Sequence, residues 1–276
     1  MIIDCFTFFN ELDLLEIRLH TLAPWVDAFV LVEANRTFQG AKKPLYFKEH
    51  QKDPRFSTGR PIVAVTVDLS SMDSLGAALP ESAWIREEIQ RRSLIEVFRF
   101  PETWSLRLPS DRIILSDVDE IPDLSAFSQV DPDCPTIISW NQTLFYYWVN
   151  MKCWKWTGPV SCTWETFQGM FDSDFQLLRN ARGKAELMIQ GGWHFSFLGG
   201  PAAIKQKIEA FSHTEYRHAA EDGNIEWALE EGWRRNKDLF GRTLDGMRFE
   251  LMPDDTHLPA YLVANKDRFR DWWYAE

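Results

Sequence analysis

Two aspartates, Asp117 and Asp119, have the residue type and spacing that most clearly predict chemistry in this chain. They follow an apolar run at residues 113–115 that is typical of a buried strand, and Pro122 prevents that strand from continuing. Ligands of open α/β sheets bind at the carboxyl ends of the strands. A divalent cation is commonly held there by one or two carboxylates together with substrate phosphates. The pattern predicts an enzyme that handles a diphosphate, and an ordinary aspartate-rich turn is the structural alternative.

Three further residues are candidates for contacts with a nucleotide. Glu33 ends a second apolar run, where its carboxylate can accept hydrogen bonds from a ribose or a base edge. Arg36 follows in a polar loop, and Arg91 lies on a charged helix. The guanidinium fork of both arginines is suited to phosphate. The alternatives are a solvated turn for the loop and an exposed helix face with i,i+4 ion pairs for the helix.

A histidine and two glutamates complete the set of candidate site residues. His194 follows Gly191 and Gly192 in an apolar run, and the glycines allow the backbone to approach a ligand closely. A neutral imidazole joins carboxylates readily on Mn²⁺, although a lone histidine in such a run is also typical of a core residue. Glu215, ranked before Glu165, is the candidate general base for an acceptor hydroxyl. For Glu215 the alternative is a surface glutamate that follows a histidine, His213, at the C-terminal end of a helix.

The first half of the chain is predicted to contain the alternating strands and helices that position these residues. Strands are predicted at residues 2–8, 29–32, 62–67 and 113–115, and helices at 12–22 and 84–98. The first strand–helix–strand unit implies two parallel strands joined by a right-handed crossover. Repeated units of this kind that end at a ligand-type turn favour a three-layer α/β/α sandwich with a Rossmann-like first half.

The second half of the chain differs from the first half in its residue composition. Residues 136–200 are aromatic and β-prone, and helices are predicted from about Pro201 and at 224–238 and 264–273. We expect most of the aromatic rings at 140–164 to fill a core and a minority to line a groove, where such rings stack on sugars. No linker composition separates the halves, so residues 1–276 are expected to form one domain.

The overall composition narrows the class of protein. The net charge of −11 argues against a nucleic acid partner, whereas a nucleotide needs only a local basic patch. No apolar stretch approaches the roughly 20 residues that a transmembrane helix requires. The first residues lack the basic region of a signal peptide. The four scattered cysteines are typical of a reduced cytosolic protein, so neither a zinc site nor a disulfide framework is predicted.

Four ordered motifs resemble one family of enzymes. They are DCFTFFNELDLLEIRL at residues 4–19, FVLVEA at 29–34, LSDVDEIP at 115–122 and GGWHFSF at 191–197. The chain resembles glycosyltransferase family 17, the β-1,4-mannosyl-glycoprotein N-acetylglucosaminyltransferases, from its first residues to about residue 262. The resemblance implies a GT-A-like fold and the inverting transfer of a sugar from a UDP-sugar. UDP-GlcNAc is the expected donor. It also implies that Asp117 and Asp119 bind Mn²⁺ or Mg²⁺, with His194 as third ligand.

The resemblance also divides the chain into a nucleotide-sugar-binding half, residues 1–122, and an acceptor-binding half, residues 123–276. The animal members carry a membrane anchor, whereas this chain starts at its first strand, so a compact cytoplasmic protein of bacterial or viral type is expected. The partners implied are the donor and a carbohydrate acceptor, and the oligomeric state is open. Two alternatives remain at this point: a haloacid-dehalogenase-like phosphatase, which would use the Asp-x-Asp, and a non-catalytic carbohydrate-binding module built from the aromatic cluster.

Overall fold

A nine-stranded mixed sheet runs through the computed structural model, which describes residues 1–75, 80–99, 108–129, 134–221, 223–243 and 246–275. The strand order is β3-β2-β1-β4-β7-β6-β8-β5, and β9 pairs with β7. The strands are β1 (Ile2–Thr7), β2 (Ala28–Ala34), β3 (Ile62–Val67), β4 (Arg112–Asp117), β5 (Glu120–Ile121), β6 (Ile138–Tyr146), β7 (Met151–Thr163), β8 (Leu187–Ser196) and β9 (Glu250–Leu251).

The first four strands are parallel and are connected as the sequence predicts. β1 pairs with β2 on one side and with β4 on the other, and β2 pairs with β3. The first crossover is helix α1 (Leu12–Leu22), whose leucines recur at helical spacing and are mostly buried. Every residue of β2 is buried, as expected for a strand covered on both faces. The parallel strand–helix–strand unit is therefore confirmed.

Helices cover both faces of this parallel region. The described part of the chain also contains α2 (Tyr46–His50), α3 (Pro80–Arg92), α4 (Glu96–Arg99), α5 (Trp164–Phe171), α6 (Phe175–Asn180), α7 (Gly200–Ala210), α8 (Asn224–Trp227) and α9 (Ala260–Ala264). On one face Phe6 and Leu31 pack with α1 and α9. On the other face Cys5 and Val30 pack against side chains from α5 and α6, such as Phe167. Alternate residues of one strand thus reach opposite layers, and the mixed α/β class is confirmed.

The sheet continues from the first half into the second. β4 pairs with β7 in antiparallel register, and β7 pairs with β6 in the same way. β6 then runs parallel to β8, and β5 pairs antiparallel with β8, so that Glu120 lies opposite His194. This pairing brings the segment just after β4 back against β8. Two motifs more than 70 residues apart in the sequence therefore share one region of the sheet.

Several predicted elements differ from the structure. The helix predicted at residues 84–98 is interrupted by a 3₁₀ turn at Ser93–Ile95, because α3 ends at Arg92 and α4 starts at Glu96. Helices α5 and α6 were not predicted, since their residues lie within an aromatic span that reads as strand. The helix predicted at 264–273 is wrong: α9 ends at Ala264, and a 3₁₀ turn follows at Arg270–Trp272. Within the described ranges, every helix is too short or too polar to cross a lipid bilayer.

Candidate active site

One cavity of about 1020 Å³ opens at the carboxyl ends of β1 and β4. Its lining includes Asp117 and Asp119 together with the end of β1, and the aromatic strands β6, β7 and β8 form its floor. Side chains from α3 and α7 contribute to its walls, among them Arg91 and Lys207. The cavity therefore lies at the edge of the sheet where the sequence places the nucleotide.

Asp117 is the last residue of β4 and is surrounded by donors. Its Oδ1 accepts a hydrogen bond from the Thr7 hydroxyl at 2.8 Å and lies 3.3 Å from an Arg91 nitrogen. Its Oδ2 accepts a 2.7 Å bond from Arg179 on α6. Burial by itself raises the pKa of Asp117, but the charges of Arg179 and Arg91 outweigh it and hold the pKa well below its usual range. Asp117 is therefore ionised and pairs with two arginines.

Asp119 lies in the turn between β4 and β5 and faces different partners. Its Oδ2 accepts a 2.7 Å hydrogen bond from Lys207 and lies 3.6 Å from His194 Nε2. Burial raises the pKa of Asp119, whereas the charges of Lys207 and His194 lower it further than burial raises it. His194 is held in place by strand pairing, and the backbone amide of Phe195 donates a 2.9 Å bond to the Asp119 carbonyl. The structure thus brings Asp119 and His194 together, as the sequence predicts.

The buried side chain of Arg18 holds the turn between β4 and β5 in place. Its side chain is completely buried and pairs with Asp4 through two hydrogen bonds of 2.6 and 2.8 Å. The same guanidinium donates to the Ser116 hydroxyl at 2.7 Å and to the carbonyls of Asp117 and Glu120 at 3.1 and 2.9 Å. One rigid side chain on α1 therefore connects β1, the end of β4 and the start of β5.

Glu120 and Trp156 form a third group beside the two aspartates. The Glu120 carboxylate is almost completely buried and accepts a 2.6 Å hydrogen bond from the indole N–H of Trp156. The same oxygen accepts a 3.0 Å bond from Arg179 and lies 3.5 Å from Arg182. Burial and the neighbouring Arg179 charge lower the pKa of Arg182. Arg91 also pairs with Glu87 at 2.7 Å, so three arginines and three acidic residues are crowded at this end of the cavity.

The charge of the cavity differs from that of the whole chain. Eight lysines and arginines line it against six aspartates and glutamates, so its described lining has a formal charge of +2. The whole chain has a net charge of −11. A local positive excess on an acidic protein favours an anionic ligand in the cavity, because opposite charge lowers the cost of bringing that ligand in from water.

The side chains fit a divalent cation only in part. Asp119 and His194 supply a carboxylate and an imidazole, a donor pair that suits Mn²⁺, and they face each other. Asp117 differs because Thr7 and two arginines already occupy both of its oxygens. Among the described residues, no group of three His, Cys, Asp or Glu side chains is placed to hold a metal. The arrangement fits a cation with two protein ligands whose other ligands come from substrate phosphates.

The remaining candidates for nucleotide contacts have different environments. Arg36 lines the cavity, and its guanidinium pairs with Asp73 at 2.8 Å. Glu33 is fully buried and is not among the residues that line the cavity. Its two oxygens accept 3.0 and 2.9 Å bonds from the backbone amides of Phe47 and Lys48 at the start of α2. Burial raises the pKa of Glu33 more than these amides lower it. Its predicted nucleotide contact stays a prediction.

The two candidate bases lie outside the cavity lining. Glu165 is in the first turn of α5, two residues after Thr163, which pairs with Arg112 at the start of β4. Asp117 lies at the other end of β4, about 16 Å from Arg112 at the usual rise per residue of a strand. Glu215 is half-exposed at the rim, and its Oε1 lies 2.7 Å from Nδ1 of His213, whose ring lines the cavity. Of these two glutamates, only Glu215 adjoins the site.

Gly192, two residues before His194, has a role that the sequence pattern did not predict. Gly192 has a φ of +97°, and a Cβ there would lie 2.6 Å from the Ile121 carbonyl oxygen. The close approach at Gly192 is therefore to the protein's own backbone. Sequence reasoning also missed Arg179 and Lys207, because each reaches the aspartates from a distant helix and no local motif marks it.

A family model matches residues 1–272 under the description Glycosyltransferase family 17. The chain belongs to glycosyltransferase family 17. It is also similar to curated proteins named beta-1,4-mannosyl-glycoprotein 4-beta-N-acetylglucosaminyltransferase. The protein of Rattus norvegicus is 26% identical over 306 residues, covering 98% of this chain and 54% of the rat protein. The Homo sapiens protein is 26% identical over 297 residues, covering 94% of this chain and 52% of the human protein.

The family 17 match confirms the resemblance deduced from the four motifs. All four lie within the matched residues, so the Asp-x-Asp turn and the His194 strand belong to the family 17 region. This chain spans about half the length of the curated relatives. Family membership favours a sugar-transfer site over a phosphatase of the haloacid-dehalogenase type and over a purely carbohydrate-binding module.

Proposed function

We propose that this family 17 chain transfers N-acetylglucosamine from UDP-GlcNAc to a hydroxyl of a mannose-containing glycan, with inversion at the anomeric carbon. The observation that carries the proposal is the position of Asp117 and Asp119. Both open into the large cavity at the carboxyl edge of a parallel sheet, next to cationic side chains. The names of the curated relatives support the donor sugar and the mannosyl acceptor. The parallel first half, with helices on both faces, supports the GT-A-like interpretation.

The diphosphate of the donor is proposed to lie over the Asp117 group. Arg91 and Arg179 already point at the end of β4, and Arg182 lies 3.5 Å from Glu120. An arginine fork matches phosphate oxygens in geometry and stays charged when water is excluded. When the bond from the anomeric carbon to the diphosphate breaks, negative charge grows on the leaving UDP. Arginines that are held in place in advance stabilise this charge without having to reorganise.

Mn²⁺ or Mg²⁺ is proposed to be held by Asp119 and His194, with Asp117 beside it in the arginine network. A bound divalent cation would supply Lewis-acid stabilisation of the phosphate oxygens. Lys207 donates to the same oxygen of Asp119, so its ammonium group would have to share or leave that oxygen. Asp119 would thus hold the cation, and Lys207 would contribute its positive charge to binding of the phosphates.

Inverting transfer also requires a base for the acceptor hydroxyl. The acceptor oxygen bonds to the anomeric carbon while the bond to UDP breaks, and the hydroxyl proton passes to the base. Glu215 is proposed for this role together with His213, because the His213 ring lines the cavity and bonds to Glu215. Burial slightly opposes ionisation of Glu215, but the hydrogen bond from His213 lowers its pKa below the usual value. Glu165 lacks such a connection to the cavity.

The proposal is tested with purified protein, UDP-GlcNAc and a β-mannoside, with Mn²⁺ or with EDTA. We expect UDP-GlcNAc to raise the thermal midpoint, because a ligand that binds the native state stabilises it by mass action. Transfer of GlcNAc to the mannoside should require the metal. Asp119→Asn should abolish transfer, whereas the matched control Asp271→Asn, at a carboxylate that is 92% exposed, should retain it.

Two results would contradict this function. Hydrolysis of phosphomonoesters without any sugar transfer would identify a phosphatase. Binding of mannoside without binding of UDP-GlcNAc would identify a carbohydrate-binding module. Full transfer by the Asp119→Asn variant, in the presence of EDTA, would leave the transfer reaction standing but would remove the proposed metal role.

A further inference from the structure

The cavity has a second end whose chemistry differs from that of the arginine-rich end. Its lining there comes from Tyr146 on β6, from Tyr216 in the 3₁₀ segment Thr214–Ala220, and from Asp238, Phe240 and Arg242. The proposed diphosphate site uses none of these side chains. We call these five residues the aromatic end of the cavity.

Arg242 and Asp238 form a fixed polar pair at the aromatic end. Asp238 is buried, and its Oδ2 accepts a 2.7 Å hydrogen bond from Nε of Arg242 and lies 2.7 Å from an Nη atom of the same guanidinium. Its Oδ1 accepts bonds of 3.0 and 2.8 Å from the backbone amides of Phe240 and Arg242. The Arg242 guanidinium also lies 5.2 Å from the ring centroid of Tyr216 and 4.8 Å from that of Phe240. Arg242 is thus held by one carboxylate and two rings, in a position that lines the cavity.

Tyr146 supplies a second polar group in the same place. The residue is only 5% exposed, and its hydroxyl has no hydrogen-bond partner among the described residues. A buried hydroxyl without a partner is unfavourable, so such groups commonly bond to a ligand or to ordered water. Burial raises the pKa of Tyr146, which keeps the hydroxyl protonated and able to donate. Tyr146 therefore lines the cavity with a protonated, buried hydroxyl that none of the described residues engages.

The aromatic end combines rings with a charge-balanced polar pair. Asp238 and Arg242 cancel each other in formal charge, and the aromatic end has a single guanidinium, whereas three guanidinium groups lie around Asp117 and Glu120. Trp154, which is 37% exposed, adds a further ring to the lining. Rings pack on the apolar face of a pyranose, and hydroxyl and guanidinium groups bind the sugar hydroxyls. The combination favours a neutral sugar over a phosphorylated or acidic one, because Arg242, the cation among the five residues of the aromatic end, is already paired with Asp238.

We infer that the aromatic end is the acceptor subsite and that it binds a neutral pyranose through Arg242, Tyr146 and the surrounding rings. This inference rests on the proposed function, which places the donor diphosphate at the other end of the cavity. The proposed acceptor-binding residues then include Tyr216, Asp238, Phe240 and Arg242. All four follow the aromatic span at residues 140–164 in the sequence. His213 and Glu215 directly precede Tyr216 in the chain, so the proposed base adjoins this subsite.

The test uses Arg242→Gln and Tyr146→Phe, with Arg235→Gln as the matched control at a side chain that is 65% exposed. Binding of methyl β-D-mannopyranoside is followed by saturation-transfer NMR, with mannose 6-phosphate for comparison. Binding of UDP is measured by calorimetry. We expect Arg242→Gln to weaken mannoside binding, and to raise its KM in transfer, by roughly tenfold, since a hydrogen bond to a charged donor is lost. Tyr146→Phe should have a smaller effect in the same direction, and the UDP affinity should stay within about twofold.

Three outcomes would overturn the inference. The first is unchanged mannoside binding in both variants, and the second is tighter binding of mannose 6-phosphate than of the mannoside at this end. The third is a loss of UDP affinity in Arg242→Gln that equals the loss of mannoside affinity, which would make the aromatic end part of the nucleotide site. Failure of the proposed function has a separate signature, because the wild-type protein would then bind no UDP. The mannoside NMR would still decide whether the aromatic end binds a neutral sugar.

Discussion

The buried pair of Arg18 and Asp4 provides the sharpest test of how the Asp-x-Asp turn is held. Both side chains are fully buried, and Arg18 bridges Asp4, the Ser116 hydroxyl and two turn carbonyls. Arg18→Ala would leave the Asp4 carboxylate without its partner in the core. Breaking a buried ion pair in this way costs about 3–5 kcal/mol. The carbonyls of Asp117 and Glu120 would also lose a charged donor, and an unsatisfied buried group costs about 1–3 kcal/mol.

These two contributions overlap, so we expect Arg18→Ala to lower the free energy of unfolding by at least about 4 kcal/mol. A loss of this size is a large fraction of the 5–15 kcal/mol typical of a folded domain. The measurement is urea unfolding at 25 °C followed by tryptophan fluorescence. The matched control is Arg92→Ala, because Arg92 is 46% exposed and its ion pairs with Glu88 and Asp174 are open to solvent. Its loss should be below about 1 kcal/mol.

A milder substitution separates stability from positioning. Arg18→Lys keeps the positive charge next to Asp4 but loses the fork that reaches the turn, so the variant should fold and should show a reduced kcat for transfer. The double variant Asp4→Val with Arg18→Met removes both charges and should be more stable than Arg18→Ala alone, because replacing a whole buried pair by apolar residues is often tolerated. An Arg18→Ala protein that loses less than about 1 kcal/mol would refute this account of the turn.

Further predictions concern the backbone, a thiol and an indole. Gly192→Ala should lower the urea midpoint far more than Gly59→Ala, because both glycines have positive φ but only a Cβ at Gly192 meets backbone, whereas nothing lies within 4 Å at Gly59. Burial raises the pKa of the Cys162 thiol from 9.0 to about 12, so the folded state resists its ionisation. The contribution of this thiol to stability should then be fully present below pH 9 and fall by about 1.4 kcal/mol per pH unit above it; unfolding curves at pH 8 and 10 should show a smaller drop in stability for Cys162→Ala. Trp156→Phe removes the indole donor to the buried Glu120, and denaturant unfolding should show a loss of about 1.5–3 kcal/mol.

The location of the Asp-x-Asp turn could be predicted from the sequence because its determinants are local. An apolar run, two aspartates and Pro122 lie within ten residues, and these features decide where a strand ends. Val118, between the two aspartates, is 3% exposed, as expected where successive side chains of an extended segment point to opposite sides. The length and ordering of the four motifs likewise sufficed to predict the family.

The same local reasoning was less informative for Glu33. Its position at the end of β2 could be predicted from the sequence. Whether its carboxylate faces a cavity or a neighbouring helix depends on where α2 packs, and in the structure the amides of Phe47 and Lys48 take both oxygens. An acidic residue at a strand end has the same sequence signature in both situations.

The amino-acid sequence by itself thus determined the parallel strand–helix–strand units, the Asp-x-Asp turn and the candidacy of His194. The tertiary structure alone decided which charges meet these residues. Arg179 and Lys207 come from helices more than 60 residues away, and the pairing of β5 with β8 is what places His194 beside Asp119. Strand ends are encoded by neighbouring residues, whereas the approach of distant side chains depends on how the helices pack over the sheet. The electrostatics of the cavity are for that reason a property of the fold and cannot be obtained from any single motif.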